Sequence, residues 1–114
     1  MTLKKVPARF YLSPTGSNPV RDWLISLPVE DRRQLGHDIG TVEYGWPLGM
    51  PLCCGLGDGL WEVRSSLPSR RIARVLFCLV GGELILLHGF IKKTQKTPPD
   101  DLALARKRQK EIER

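Results

Sequence analysis

Apolar positions along the chain change their spacing several times, and each change marks an element. Residues 4–12 mix β-branched, aromatic and basic side chains and predict a first strand. Ser13-Pro14-Thr15-Gly16-Ser17 follows as a turn. Ser17 or Asn18 then stands where a helix cap belongs, with Pro19 suited to the first turn. Val20, Trp23, Leu24 and Leu27 recur at i, i+3, i+4 and i+7, the stripe of one buried helix face. Pro28 ends that helix or opens the next. Leu35, Ile39 and Val42 give residues 29–44 an apolar side as a second helix. Gly36 and Gly40 oppose it, since each costs about 1 kcal/mol relative to Ala in a helix.

Residues 45–59 hold five glycines and two prolines and predict a loop, pinned by Trp46, Leu48, Met50 and Leu52. A meander follows. Residues 60–67, 71–80 and 84–91 predict strands, separated by Pro68-Ser69 and Gly81-Gly82. The connection Lys92-Lys93-Thr94-Gln95-Lys96-Thr97-Pro98-Pro99 leads to a final helix over 102–112, with Asp100 or Asp101 as its cap. The expected order is β-α-α-β-β-β-α. This is an α+β fold with helices packed on a mainly antiparallel sheet, one domain over residues 1–114.

Charge sharpens the picture. The net charge is +6. Residues 1–57 carry six basic and five acidic groups, whereas residues 58–114 carry twelve and seven. A positive half attracts polyanions such as RNA, DNA or a ribosome. Cys53, Cys54 and Cys78 form no Cys-x-x-Cys pattern, and only His37 and His88 could join them, so no metal site is expected. Three free thiols suit a reducing cytoplasm. Residues 1–5 lack the apolar core of a signal peptide, and no apolar run is long enough to span a bilayer, so no membrane role is expected. Phosphate-binding P-loops, zincin motifs and nucleophile elbows are absent.

The candidate chemistry is a set of cations on or beside the last strands: Arg64, Arg74, His88, Lys92, Lys93 and Lys96. Arg74 sits in an otherwise apolar strand. It either pairs with Glu62 as a structural ion pair or faces a groove as a phosphate clamp. A lone His88 on a strand is either a packed core residue or an acid–base group. Register decides whether these residues meet. With a two-residue loop at Pro68-Ser69, Arg64 lies opposite Ala73 and Arg74 points away. A three-residue loop sets Arg64 opposite Arg74. A joint site for Arg64, Arg74 and His88 requires odd loops or a bulge at both turns.

Several segments resemble the phage-derived Gp49-like proteins, HigB-like toxins within the RelE/ParE superfamily. They are residues 13–24, Gly45-Trp46-Pro47-Leu48-Gly49-Met50-Pro51, Leu56-Gly57-Asp58-Gly59-Leu60-Trp61-Glu62-Val63-Arg64, Arg71-Ile72-Ala73-Arg74-Val75-Leu76-Phe77 and residues 87–98. The resemblance implies a RelE-like fold and an mRNA endoribonuclease, often acting on translating ribosomes. It implies a cognate helix-turn-helix antitoxin as partner, whose complex with the toxin binds operator DNA. It implies no cofactor. Arg64, Arg74, His88 and Lys92 would be catalytic, with Lys93, Lys96 and Arg71 binding RNA. The reaction would be attack of the 2′-hydroxyl on the adjacent phosphorus, giving a 2′,3′-cyclic phosphate. ParE-like members of the superfamily act instead on DNA gyrase through protein contacts, the alternative that the resemblance leaves open.

Overall fold

The computed structural model describes residues 3–112. One sheet holds five strands: β1 (Ala8–Phe10), β2 (Cys53–Gly57), β3 (Leu60–Ser66), β4 (Ile72–Val80) and β5 (Glu83–Ile91). Their spatial order is β1-β5-β4-β3-β2. β1 runs parallel to β5, and the other neighbours are antiparallel. The helices are α1 (Pro19–Ser26), α2 (Val29–Gly45) and α3 (Pro99–Ile112). The class is α+β.

Strand alternation divides the apolar side chains between two cores. Val63, Ala73, Val75, Phe77, Leu84 and Leu86 face Val20, Leu27, Leu35, Ile39 and Val42 of α1 and α2. Leu60, Leu76, Cys78, Ile85 and Leu87 face Ala105 of α3. Helices therefore cover both faces. α1 begins where the sequence places it, with the Asn18 side chain accepting from the Arg21 amide and Pro19 in the first turn.

Three boundaries differ from the sequence pattern. Residues 53–57, expected within a loop, form β2, so the order gains a strand: β-α-α-β-β-β-β-α. The glycines concealed a short edge strand. Cys53 pairs with Val63, the Trp61 ring packs over Gly55, and a register shift follows before Gly57. β1 covers only residues 8–10, because the Lys5 and Val6 amides donate to the Glu43 carbonyl instead of a strand. α3 starts at Pro99, which puts Asp100 and Asp101 inside its first turn, where acidic groups suit the helix dipole.

Gly89 in β5 lies directly against α1. A Cβ there would overlap the Trp23 ring of α1. Gly89→Ala is expected to destabilise the fold by about 3 kcal/mol, the cost of overpacking a tight core. Thermal melting of this variant checks it, and an unchanged Tm would mean that Trp23 moves aside freely.

Candidate active site

Two irregularities bring the sequence-predicted residues to one face. The β3–β4 loop has three residues, Pro68, Ser69 and Arg70. The Leu67 amide donates to the Arg71 carbonyl, and the Arg70 amide to the Leu67 carbonyl. Arg70 takes φ +67°, the left-handed conformation that closes such a loop. Arg64 therefore lies opposite Arg74. The β4–β5 turn has two residues, Gly81 and Gly82, both at positive φ. Parity would then set His88 on the opposite face. A bulge at Leu87 corrects it: Phe77 pairs with Leu86, but Leu76 pairs with His88.

The result is a grid on the face that α3 only partly covers. Glu62, Leu76 and His88 form one row, and Arg64, Arg74 and Phe90 the next. Ser66 and Ile72 begin a third row, which Lys92 completes through its amide bond to the Ile72 carbonyl.

Glu62 organises the centre. It is fully buried. Its Oε1 accepts from Arg64 Nε at 2.8 Å and lies 3.5 Å from Arg74 Nε, while Oε2 accepts from Thr97 Oγ1 at 2.9 Å. The hydrogen bond to Glu62 is the main cause that raises the Arg64 pKa above its ordinary value. Arg74 is only 1% exposed. Its NH2 group donates to the Gln95 carbonyl at 2.9 Å, and its contact with Glu62 is an ion pair without hydrogen-bond alignment. Of the two expectations for Arg74, its geometry is that of the ion pair with Glu62: the guanidinium is turned inward, under the 92–98 connection. Arg64 keeps 33% of its side chain exposed.

His88 has a partner that the sequence offered only as a helix cap. Its Nε2 lies 2.6 Å from Asp101 Oδ1, at the start of α3. The imidazole stacks on Phe90, with centroids 5.6 Å apart, and the side chain stays 17% exposed. A carboxylate on Nε2 selects the tautomer with its proton there and leaves Nδ1 as the basic nitrogen.

A basic groove of about 400 Å³ opens beside the grid, lined by Arg70, Arg71, Ile72, Lys92, Lys93 and Gln95, with Thr94. Lys92 Nζ donates to Gln95 Oε1 at 3.5 Å. Lys93 and Lys96 are exposed. Arg71 is half committed elsewhere, to Asp31 Oδ2 at 3.2 Å. Hydrogen bonds from Ser69, with Arg71 adjacent, hold Asp31 below the usual carboxylate range against the opposing effect of its burial. The structure thus lines Arg71, Lys92 and Lys93 along the groove and sets Arg64 and His88 on neighbouring rows of the same face, with Arg74 buried beside Arg64.

The family model described as Phage derived protein Gp49-like matches residues 22–110. The chain belongs to this family. The match runs from within α1 through most of α3 and includes every residue of the Gp49-like grid. No curated protein matches the chain. No described helix is long and apolar enough to cross a membrane. Among the described residues, no three His, Cys, Asp or Glu side chains of this Gp49-like protein are placed to hold a metal ion. Cys53 lies in the core, and burial pushes its thiol pKa up to about 11, so it serves as a small apolar side chain.

Proposed function

We propose that this chain is the toxin of a toxin–antitoxin pair and an endoribonuclease that cuts mRNA without a metal ion. The observation that carries this reading is the Asp101-paired His88 on the same sheet face as Arg64 and Lys92, with Lys92 lining the adjoining basic groove.

The chemistry needs a base, cations for the phosphorane and an acid. His88 Nδ1 takes the proton of the 2′-hydroxyl. The 2′ oxygen attacks phosphorus, and the bond from phosphorus to the 5′ oxygen breaks. Arg64 and Lys92 neutralise the charge that develops on the phosphoryl oxygens, as donors fixed in advance. The Lys92 ammonium supplies the proton for the leaving 5′ oxygen. Products are a 2′,3′-cyclic phosphate and a 5′-hydroxyl. Arg74 acts through Glu62 and the Gln95 carbonyl, holding Arg64 and the 92–98 connection in place. Lys93, Lys96 and Arg71 guide the RNA backbone. So modest an acid–base set gains from a second surface that aligns the scissile bond, and a translating ribosome would provide it. A cognate helix-turn-helix antitoxin holds the toxin in check, and their complex binds operator DNA from the cytoplasm.

Purified protein added to an mRNA in a translating extract tests this reading. Fragments with 5′-hydroxyl and 2′,3′-cyclic phosphate ends support it. Fragments with 5′-phosphate ends would point to attack by water, and an uncut message would remove the enzyme from the proposal.

Arg70 provides a further check. Its left-handed backbone is strained for a residue with a Cβ. Arg70→Gly is expected to stabilise the fold by about 1 kcal/mol. It should also weaken RNA binding and reduce the slope of log K against log salt by about 0.7, the share of one phosphate contact on a single strand. Denaturation and salt-dependent binding measure the two effects separately.

A further inference from the structure

Beside the grid, β3 runs on with its β2-side edge unpaired while β4 still borders the other edge. Its pairing with β2 ends at Cys53 and Val63, and only the Arg64 amide still reaches the Leu52 carbonyl. α2 passes this open edge. Gln34, Asp38, Leu52, Arg64, Ser66 and Lys92 are among the residues that enclose a notch there, about 410 Å³ in volume. That is the size of a small-molecule site. Lys92 and Ile72 line both this notch and the basic groove, so the two spaces share a wall.

Asp38 gives the notch its character. Ser65 Oγ, itself buried on β3, donates to Asp38 Oδ2 at 2.5 Å. Gln34 Nε2, one helical turn earlier, donates to the two carboxylate oxygens at 3.2 and 3.3 Å. Its hydrogen-bond partners, Ser65 and Gln34, are both neutral, and it lies next to a groove of cations. A carboxylate offers about four lone-pair sites. With one bond from Ser65 and the two from Gln34, the carboxylate keeps acceptor capacity.

We propose that this notch is a nucleobase pocket that selects guanine; the proposal rests on the reading of the neighbouring groove as an RNA site. A negative carboxylate repels phosphate, so the notch is unsuited to the backbone that the groove attracts. It suits a base swung out of the strand. Single-stranded RNA is read through Watson–Crick edges of unstacked bases, with arginine planes as stacking surfaces. Guanine has two adjacent N–H donors on that edge, N1–H and the N2 amino group, with the O6 acceptor beside them. Adenine, cytosine and uracil each present a single donor next to acceptors, which would face the Asp38 oxygens unfavourably. The Asp38 carboxylate supplies the acceptors, and Arg64, on the notch wall, supplies a donor for O6. The shared wall at Lys92 then leads the attached ribose and phosphate into the groove.

The test titrates each of the four nucleoside 3′-monophosphates into isotope-labelled protein and follows backbone amides by NMR. The expected result is that guanosine 3′-monophosphate shifts amides at 34–38, 52 and 64–66 and binds roughly tenfold tighter than the others, the discrimination of one bidentate pair. Asp38→Asn replaces one acceptor with a donor and should erase that preference. Gln34→Ala leaves the carboxylate in place and should weaken the preference in part, which keeps the test decisive if the first variant does not fold. Equal binding of all four nucleotides, or shifts confined to 70–71 and 92–95, would overturn the proposal. So would a preference unchanged in Asp38→Asn, the outcome if Asp38 only ties α2 to β3. A guanine preference without RNA cleavage would leave the pocket standing and remove the nuclease. Cleavage without base preference would do the reverse.

Discussion

His88→Ala is expected to lower RNA cleavage by about 10²–10⁴-fold, the usual contribution of one positioned acid–base group, while the fold persists. The side chain is partly exposed and belongs to neither apolar core, so its loss opens no large cavity. The loss should fall on kcat more than on KM, because the imidazole acts on the proton in flight and the cations hold the phosphate. Asp101→Asn should cost less, since Nδ1 still reaches the 2′-hydroxyl and only the tautomer and orientation loosen. Single-turnover cleavage by both variants gives the comparison. Added imidazole should restore part of the His88→Ala activity. Equal activity of His88→Ala and wild type would make the His88–Asp101 contact a structural tether for α3.

Glu62→Ala is expected to cost about 3–5 kcal/mol of stability, because it leaves a buried arginine uncompensated. Arg74 would keep only the Gln95 carbonyl. Arg64 would lose its 2.8 Å partner and Thr97 its acceptor. A domain of this size has roughly 5–15 kcal/mol in all, so the variant should remain folded but melt early. A second substitution separates the causes. Arg74→Met in the Glu62→Ala background removes the stranded charge and should recover much of the stability, as replacements of buried ion pairs by apolar groups do. It should not recover RNA cleavage, because Arg64 and the 92–98 connection stay unanchored. Denaturant unfolding of the two single variants and the double variant measures this coupling. A Glu62→Ala loss below about 1 kcal/mol would show that water reaches Arg74.

The helical stripes of α1 and α2 and the strands β3, β4 and β5 were legible in the sequence because each has one strong apolar period. β2 was not. Cys53-Cys54-Gly55-Leu56-Gly57 has the composition of a loop, and it becomes a strand only because Val63 and Trp61 supply the neighbouring edge. A joint face for Arg64, Arg74 and His88 needed an odd loop or bulge at each turn, and the chain has a three-residue loop at one and a bulge at the other. The bulge had no local signal, since an extra leucine in Leu84-Ile85-Leu86-Leu87 looks like its neighbours. The inward turn of Arg74 was visible only as one of two options, because its burial depends on where the 92–98 connection crosses. Asp101 carried a helix-start signal that hid its contact with His88. Asp38 carried none, since Ser65 lies 27 residues away in the chain.

The proposed function assigns cleavage of messenger RNA to this face of the sheet. Transcriptome-wide mapping of 5′-hydroxyl RNA ends, after inducing wild type and His88→Ala in a host without an antitoxin, tests it most directly. New ends within coding regions are expected for wild type and nearly none for His88→Ala. Growth arrest with no new ends would contradict it and move the target to a protein such as DNA gyrase.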